Sequence, residues 1–317
     1  MADTAITLNA RVGRTAPRLP LKSDSTDAGS AAARGRSREL LERKPGVLVL
    51  LLVLMVALWP HWWWMAQRLT DGSDEPWGIV ALITVITLVA REWRALSVPS
   101  PAVLRATAAL AIAAAISRLW LPPLGAAAIA MTALATILAG ARRARPATAL
   151  ASLLLLALPV IATLQFYFGY PLRLATATLA APILRALGFA VEASGAALAY
   201  SGQLVLIDPP CAGIGMLWVG AFTASLLSYV ANASARRTIL NGAVAAASVF
   251  VANVVRNVAL FFPEALGLGW PEWMHAFIGL IAFSLALLPI VLFAQSPARH
   301  ARMGCHEWPP RYHRHIA

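Results

Sequence analysis

The chain has 317 residues and a formal net charge of +12, and 59% of its residues are hydrophobic while only 13% are charged. A water-soluble protein of this length cannot bury so much apolar surface, so the composition excludes a soluble protein and indicates a polytopic membrane protein. The basic charge does not indicate nucleic-acid binding. It is concentrated in short segments between apolar runs and is not interleaved with aromatic residues.

The first 46 residues form a polar segment with nine Lys or Arg and five Asp or Glu. No early apolar stretch of the kind that marks a signal peptide occurs in it. Its low-complexity stretch at 30–36 indicates a chain that cannot bury a core. We therefore expect residues 1–46 to be a basic, disordered arm on the cytoplasmic side.

Apolar runs long enough to cross about 30 Å of hydrocarbon predict an all-α domain of eight transmembrane helices over residues 47–294. The predicted spans are 47–64, 77–90, 102–121, 124–140, 147–168, 211–230, 238–261 and 273–294. Residues 295–317 follow as a basic cytoplasmic tail.

The distribution of positive charge predicts the orientation of these spans. Arg68, Arg173 and Arg185 are the only basic residues in the alternate connections 65–76, 171–210 and 263–272. The other connections and the two termini hold 20 of the 26 Lys and Arg residues. Because cytoplasmic loops are enriched in Lys and Arg, both termini are predicted to be cytoplasmic.

The longest outer connection, 171–210, is predicted to be a small periplasmic insertion. Its first part, 171–189, has the composition of an apolar helix in the membrane interface, interrupted at Pro182. The segments 191–200 and 203–208 then flank Ser201-Gly202, a pair typical of a β-hairpin turn. This hairpin leads directly to Cys211.

Three side chains suited to nucleophilic chemistry lie at the predicted outer ends of separate spans. Cys211 follows Pro209 and Pro210 and begins the sixth span, where a helix N-terminus favours the reactive thiolate. Arg256 lies in the outer third of the seventh span, and His275 lies in the first turn of the eighth. The pattern predicts acyl transfer. Cys211 would attack a carbonyl, His275 would exchange the proton, and Arg256 would stabilise the thiolate or the oxyanion.

Two further residues are candidates for supporting roles. Asn253 lies three residues before Arg256 on the same helical face, where it could orient the guanidinium. Asp208 could orient His275. Each main residue also has a simpler explanation: Cys211 as a small buried hydrophobe, Arg256 as a snorkelling side chain, and His275 as an interfacial histidine.

The sequence predicts neither a cofactor nor a metal site. Only two cysteines occur and no CxxC pair is present, so a disulfide framework and a zinc or iron–sulfur site are not expected. Several metal-binding residue types do crowd the tail, at irregular spacing that favours a solvated basic segment. They are His300, Cys305, His306, His313 and His315.

At these residues the sequence resembles the exosortase/archaeosortase family of membrane transpeptidases. The resemblance rests on CAGIG at 211–215, on the N-x-x-R pattern within ANVVRN at 252–257, and on His275 followed by Phe277 and Gly279. His in the third position resembles the bacterial exosortase branch. Two features depart from the family pattern: Ala212 stands where the family often has Ser, and the arm is long. The long arm leaves open that the chain belongs to a specialised subfamily.

The resemblance implies a cysteine protease or transpeptidase in the bacterial inner membrane, with Cys211 as nucleophile, Arg256 and His275 as partners, and a site facing the periplasm. The implied substrates are exported proteins whose C-terminal signal has a motif such as Pro-Glu-Pro, a transmembrane helix and a basic cluster. The new C-terminus of the cleaved substrate would be transferred to an unknown envelope acceptor. The alternative is a non-enzymatic polytopic transporter, or a scaffold for envelope polysaccharide export.

Overall fold

A computed structural model describes residues 44–70, 72, 76–142 and 147–296. This part of the chain is mostly helical and carries one small three-stranded sheet, which confirms the predicted all-α class with a β insertion. The ten helices are α1 (Lys44–Ala57), α2 (Trp59–Thr70), α3 (Trp77–Arg91), α4 (Pro101–Ser117), α5 (Pro123–Ala141), α6 (Ala147–Leu156), α7 (Ile161–Ala186), α8 (Ile214–Val230), α9 (Ala235–Ala265) and α10 (Glu272–Gln295). Nearly all of the predicted arm and tail, with the His and Cys residues of the tail, lies outside the described residues.

Among the described residues, four helical segments are long and apolar enough to cross a membrane: α5, α9, the residues 209–230 that include α8, and α10. Two bent pairs, α1 with α2 and α6 with α7, raise the number to six if each pair is one span. The remaining predicted spans correspond to α3 and α4, of 15 and 17 residues. At 1.5 Å per residue these helices are about 23 and 26 Å long, shorter than the hydrocarbon core. The structure therefore supports four to six spans, and eight stays a prediction.

Prolines break the helices at places that differ from the prediction. The helix over the predicted span 147–168 is not continuous, because α6 ends at Leu156 and α7 begins at Ile161 after a bend of 89°. Pro159 lies buried in this break, where it can neither donate an N–H nor fit against the preceding turn. A similar bend of 69° separates α1 from α2, just before Pro60.

The predicted interruption at Pro182 is wrong. Helix α7 runs without a break from Ile161 to Ala186 and contains both Pro171 and Pro182. Both prolines are exposed, so their rings and the carbonyls they leave unpaired lie on the helix surface rather than in a packed contact. A proline in that position weakens the helix without ending it.

The sheet is an antiparallel meander of β1 (Glu192–Ser194), β2 (Ala197–Tyr200) and β3 (Gln203–Leu206), in that order. The predicted turn at Ser201-Gly202 is confirmed, and both residues have positive φ, as two-residue hairpin turns require. The predicted strand 191–200 is divided by a second turn at Gly195, which the sequence analysis missed.

The sheet packs against α7 and α9 through one hydrophobic cluster. Leu198 and Ile207 from the sheet join Leu184 of α7 and Phe261 of α9, all of them buried. The ring of Phe261 packs edge-on against Tyr200, with 5.4 Å between the ring centroids. The packed cluster fixes β3 and the segment that follows it relative to the two helices.

The buried guanidinium of Arg142 connects the ends of α3, α5 and α8. Arg142, just after α5, is 5% exposed and forms an ion pair with Glu92, just after α3, at 2.5 Å. Its guanidinium also donates to the hydroxyl of Tyr229 near the end of α8 and lies over that ring. Two charged groups held in this way are costly to separate, because either one alone would remain poorly solvated.

We expect the contributions of Arg142 and Glu92 to stability to be strongly non-additive. Arg142→Met removes the Arg142 cation from the half-buried carboxylate of Glu92 and should lower the free energy of unfolding by about 3 kcal/mol. The double change Arg142→Met with Glu92→Leu should recover most of that loss. Thermal unfolding of the purified protein in detergent measures both, with the exposed Arg105→Met as control. Equal losses in the single and double variants would contradict this account.

Candidate active site

Cys211 lies in a 3₁₀ turn, Pro209–Ala212, that connects the sheet to α8. Its N–H donates to the carbonyl of Asp208 at 2.8 Å, and Gly213, with φ of +84°, redirects the chain into α8. The prediction that Cys211 itself begins the helix is therefore off by three residues. The thiol is half-buried and is not in a disulfide.

The carbonyl of Cys211 is held by two asparagines of α9. The side-chain amides of Asn253 and Asn257 donate to it at 3.0 and 3.3 Å. The expected contact of Asn253 with Arg256 does not form, because Asn253 is buried against the turn at Gly213 instead. Asn257 was not among the predicted site residues, although a second Asn directly after Arg256 in an apolar helix was a detectable signal.

The preceding carbonyls of the same segment are held by α7. Gln165 donates to the carbonyl of Pro209 at 2.9 Å, and Arg173 donates to that of Ile207 at 3.3 Å. Gln165 and Arg173 are eight residues apart and so lie on one face of the helix. Together with the asparagines, they hold alternate carbonyls along 207–211. Gln165 was predicted to lie in the fifth span, 147–168, and Arg173 in the outer insertion, 171–210, and neither was predicted to belong to the site.

Arg256 lies on α9, directly before Asn257, which donates to the carbonyl of Cys211. The electrostatic field of its guanidinium reaches the Cys211 thiol. Arg256 makes no hydrogen bond or ion pair with any residue that the structure describes, and its Nε atom is buried without a partner. Helix α10 approaches it closely at Gly279, where an added Cβ would lie 3.2 Å from Nε.

His275 is in the first turn of α10 and contacts a carboxylate. Its Nε2 lies 3.1 Å from Oε1 of Glu264, in the last turn of α9. The side chains of His275 and Glu264 are 39% and 54% exposed, so the pair is accessible. Asp208 was a candidate for orienting His275, but the carboxylate that contacts the ring is that of Glu264. Glu264 and His275 are 11 positions apart in the sequence, and their proximity depends on the turn between α9 and α10, which no local pattern shows.

One cavity of about 400 Å³ brings these groups together. Its size is within the range of small-ligand and peptide-side-chain pockets. Cys211 and His275 both line it, with Asp208 and Glu264 as further polar groups, whereas Arg256 is not among the lining residues. The rest of the wall is formed by Leu198 of β2, by Gln203, Leu204, Val205 and Leu206 of β3, by Ile207 just after that strand, and by Asn257, Leu260 and Phe261 of α9.

We expect Gly213→Ala to displace the turn that carries Cys211. The new Cβ would lie 2.7 Å from Cγ of Asn253, and the left-handed backbone costs an alanine roughly 1–2 kcal/mol. The thiol should lose its half-buried position and react several-fold faster with a small alkylating reagent, measured in a Cys305→Ser background. Gly215→Ala is the matched control, because its Cβ would meet nothing within 4 Å. Equal alkylation rates for the two variants would show that the tether does not position the thiol.

Comparison with known proteins identifies the family. The family model described as transmembrane exosortase (Exosortase_EpsH) matches residues 42–292, which include every residue of the candidate site. No curated protein and no solved structure matches the chain. The long apolar helices and this match together make the chain a multi-pass membrane protein. The chain therefore belongs to the transmembrane exosortase family.

Proposed function

We propose that the protein is a membrane cysteine transpeptidase that cleaves the C-terminal sorting signals of exported proteins. The observation that carries this proposal is the cavity that both Cys211 and His275 line, with the unpaired guanidinium of Arg256 on the adjoining helix α9. A transporter or scaffold has no need for a thiol and an imidazole on one cavity with an unpaired guanidinium on the helix next to it. Membership of the exosortase family supports the same activity.

The reaction follows from the chemistry of these groups. The Cys211 sulfur attacks the carbonyl carbon of the scissile peptide bond, and its proton passes to His275. The tetrahedral intermediate collapses to a thioester, while His275 returns the proton to the leaving amine. An amine or hydroxyl of the acceptor, or a water molecule, then attacks the thioester. The acyl group passes to that nucleophile, whose proton returns to the sulfur and restores the thiol. Because Glu264 contacts Nε2, the proton would be exchanged at Nδ1 of the ring.

Arg256 stabilises negative charge in this mechanism. A guanidinium in an apolar helix is costly when it has no partner, and it is a functional candidate for that reason. Before the reaction it favours the thiolate, and in the tetrahedral intermediate it favours the oxyanion. Its unpaired state means that no existing ion pair has to break when that charge develops.

We place the active site on the periplasmic face of the bacterial inner membrane, in an eight-span protein with both termini cytoplasmic. The distribution of Lys and Arg between the connections supports this orientation. The proposed substrates carry a motif such as Pro-Glu-Pro, then one transmembrane helix and a basic cluster. Because the basic cluster stays on the cytoplasmic side, the motif emerges at the outer end of its helix, at the level of the cavity.

Cys211→Ala should abolish processing of a co-expressed substrate, by about 10³-fold or more, while the protein still accumulates in the membrane. Removing one sulfur atom costs too little packing energy to unfold the domain. Cleavage is measured as the size shift of the substrate, and a thioester trapped on Cys211 by rapid quenching identifies the nucleophile. Cys305→Ala is the control and should process normally. If Cys211→Ala still cleaved the substrate, Cys211 would not be the nucleophile.

Arg256→Lys should lower processing by about 10²-fold although the positive charge is retained. A guanidinium holds two oxygens in fixed geometry, whereas an ammonium is a point donor at the end of a flexible chain. The same substrate assay measures the effect. The matched control is Arg185→Lys, an exposed residue in the last turn of α7. Near-normal processing by Arg256→Lys would mean that Arg256 only snorkels to the membrane surface.

A further inference from the structure

Strand β3 has one unpaired edge. The sheet order is β1-β2-β3, so β3 pairs with β2 on one side only. Just beyond the strand, the N–H of Ile207 donates to the carbonyl of Ala196, at 3.1 Å, and so points towards β2. In an antiparallel ladder, successive residues direct their main-chain groups to opposite sides. The N–H and C=O groups of Leu206, and of Leu204 two residues earlier, therefore point away from β2.

These outward groups have no main-chain partner in the part of the chain that the structure describes. The side chains of Leu204 and Leu206 are also exposed, at 61% and 68%. Natural proteins usually protect such an edge with Lys, Pro or a bulge, because an open apolar edge pairs readily with another extended chain. The sequence Gln203–Leu206 contains none of these devices.

The open strand lies along the wall of the cavity that contains the thiol. Every residue from Gln203 to Asp208 lines that cavity, and Cys211 and His275 line it too. An extended chain advances about 3.4 Å per residue, so four residues paired with β3 would cover about 14 Å. A peptide paired with this edge would therefore continue along the cavity wall towards Cys211.

We propose that β3 is the docking strand for the substrate, whose extended segment next to the scissile bond adds to the sheet as a fourth strand. Main-chain hydrogen bonds to Leu204 and Leu206 would supply affinity and fix the direction of the peptide, while the cavity receives alternate side chains. This inference rests on the proposed function, because it takes a peptide as the substrate. It adds the way in which that peptide is held.

The inference predicts a cross-linking pattern with a period of two residues. The protein would carry Leu204→Cys together with Cys211→Ala and Cys305→Ser, so that binding is measured without cleavage. The probe is a synthetic peptide with a Pro-Glu-Pro segment and a single cysteine moved one position at a time. Disulfides to residue 204 should form at alternate positions only, since successive side chains of a strand point to opposite faces. Equal cross-linking at adjacent positions, or none at any position, would overturn the docking strand.

A proline substitution tests the main-chain hydrogen bonds separately from the side chain. Leu206→Pro removes one outward N–H and leaves the bonds to β2 intact, and its processing should fall about tenfold below that of Leu206→Ala, which keeps the N–H. Alkylation of Cys211 should proceed at the same rate in both variants. Equal processing by the two variants would overturn the inference.

Two outcomes separate this inference from its competitors. If the wild-type protein fails to cleave but the cross-linking pattern is periodic, the proposed function fails and the docking strand stands. If Leu204→Cys forms a disulfide between two copies of the protein and excludes the peptide, the edge pairs with a second copy, which overturns the inference.

Discussion

Two hydrogen bonds from α9 to the carbonyl of Cys211 hold the nucleophile in place, and the other contacts of the site are arranged around them. Asn253 and Asn257 are one helical turn apart and almost fully buried. Burying an amide without a hydrogen-bond partner costs free energy, so breaking the bonds from these side chains to the carbonyl is unfavourable. Gly213 makes the approach possible, because a side chain there would collide with Asn253.

Arg256 lies on the same helix, but its hydrogen bonding differs from that of the two asparagines. The asparagines are bonded to the main chain, whereas the guanidinium has no partner among the described residues. Helix α9 thus combines a rigid support for Cys211 with a charge that is free to act. Such an arrangement suits catalysis, since a donor that is already oriented and unpaired costs no reorganisation when negative charge appears. Gly279 of α10 leaves the space in which the guanidinium lies.

Several parts of this description could be predicted from the sequence. The hairpin turn was predictable because Ser201-Gly202 accepts positive φ, and the placement of Cys211 and His275 on one cavity was predictable because both lie at the outer ends of predicted spans. The choice of which proline breaks a helix was not predictable. Pro159 is buried and breaks the chain, whereas Pro182 is exposed and does not, and burial depends on the packing of helices distant in sequence.

The partners of the polar side chains were equally hidden. Asn253 is on the same helical face as Arg256, and helical periodicity alone favoured a contact between them. The approach of the turn at Gly213 gave Asn253 a stronger acceptor. Similarly, His275 meets Glu264 rather than Asp208, because the short connection between α9 and α10 brings their ends together. These choices are made by tertiary contacts, which no local pattern contains.

The break between α6 and α7 has a mechanical consequence for the nucleophile. Gln165 lies one turn into α7 and holds the carbonyl of Pro209, so a rotation of α7 about the break would pull on the segment that carries Cys211. The indole of Trp218 opposes such a rotation, because it donates to the carbonyl of Leu156 at the end of α6. Trp218 is itself on α8, the helix that begins just after Cys211. Contacts therefore connect the segment that carries Cys211 to α7 through Gln165, and connect α8, which follows Cys211, to the end of α6 through Trp218. Because both helices that flank the break are attached in this way, the position of the thiol is restrained from two sides.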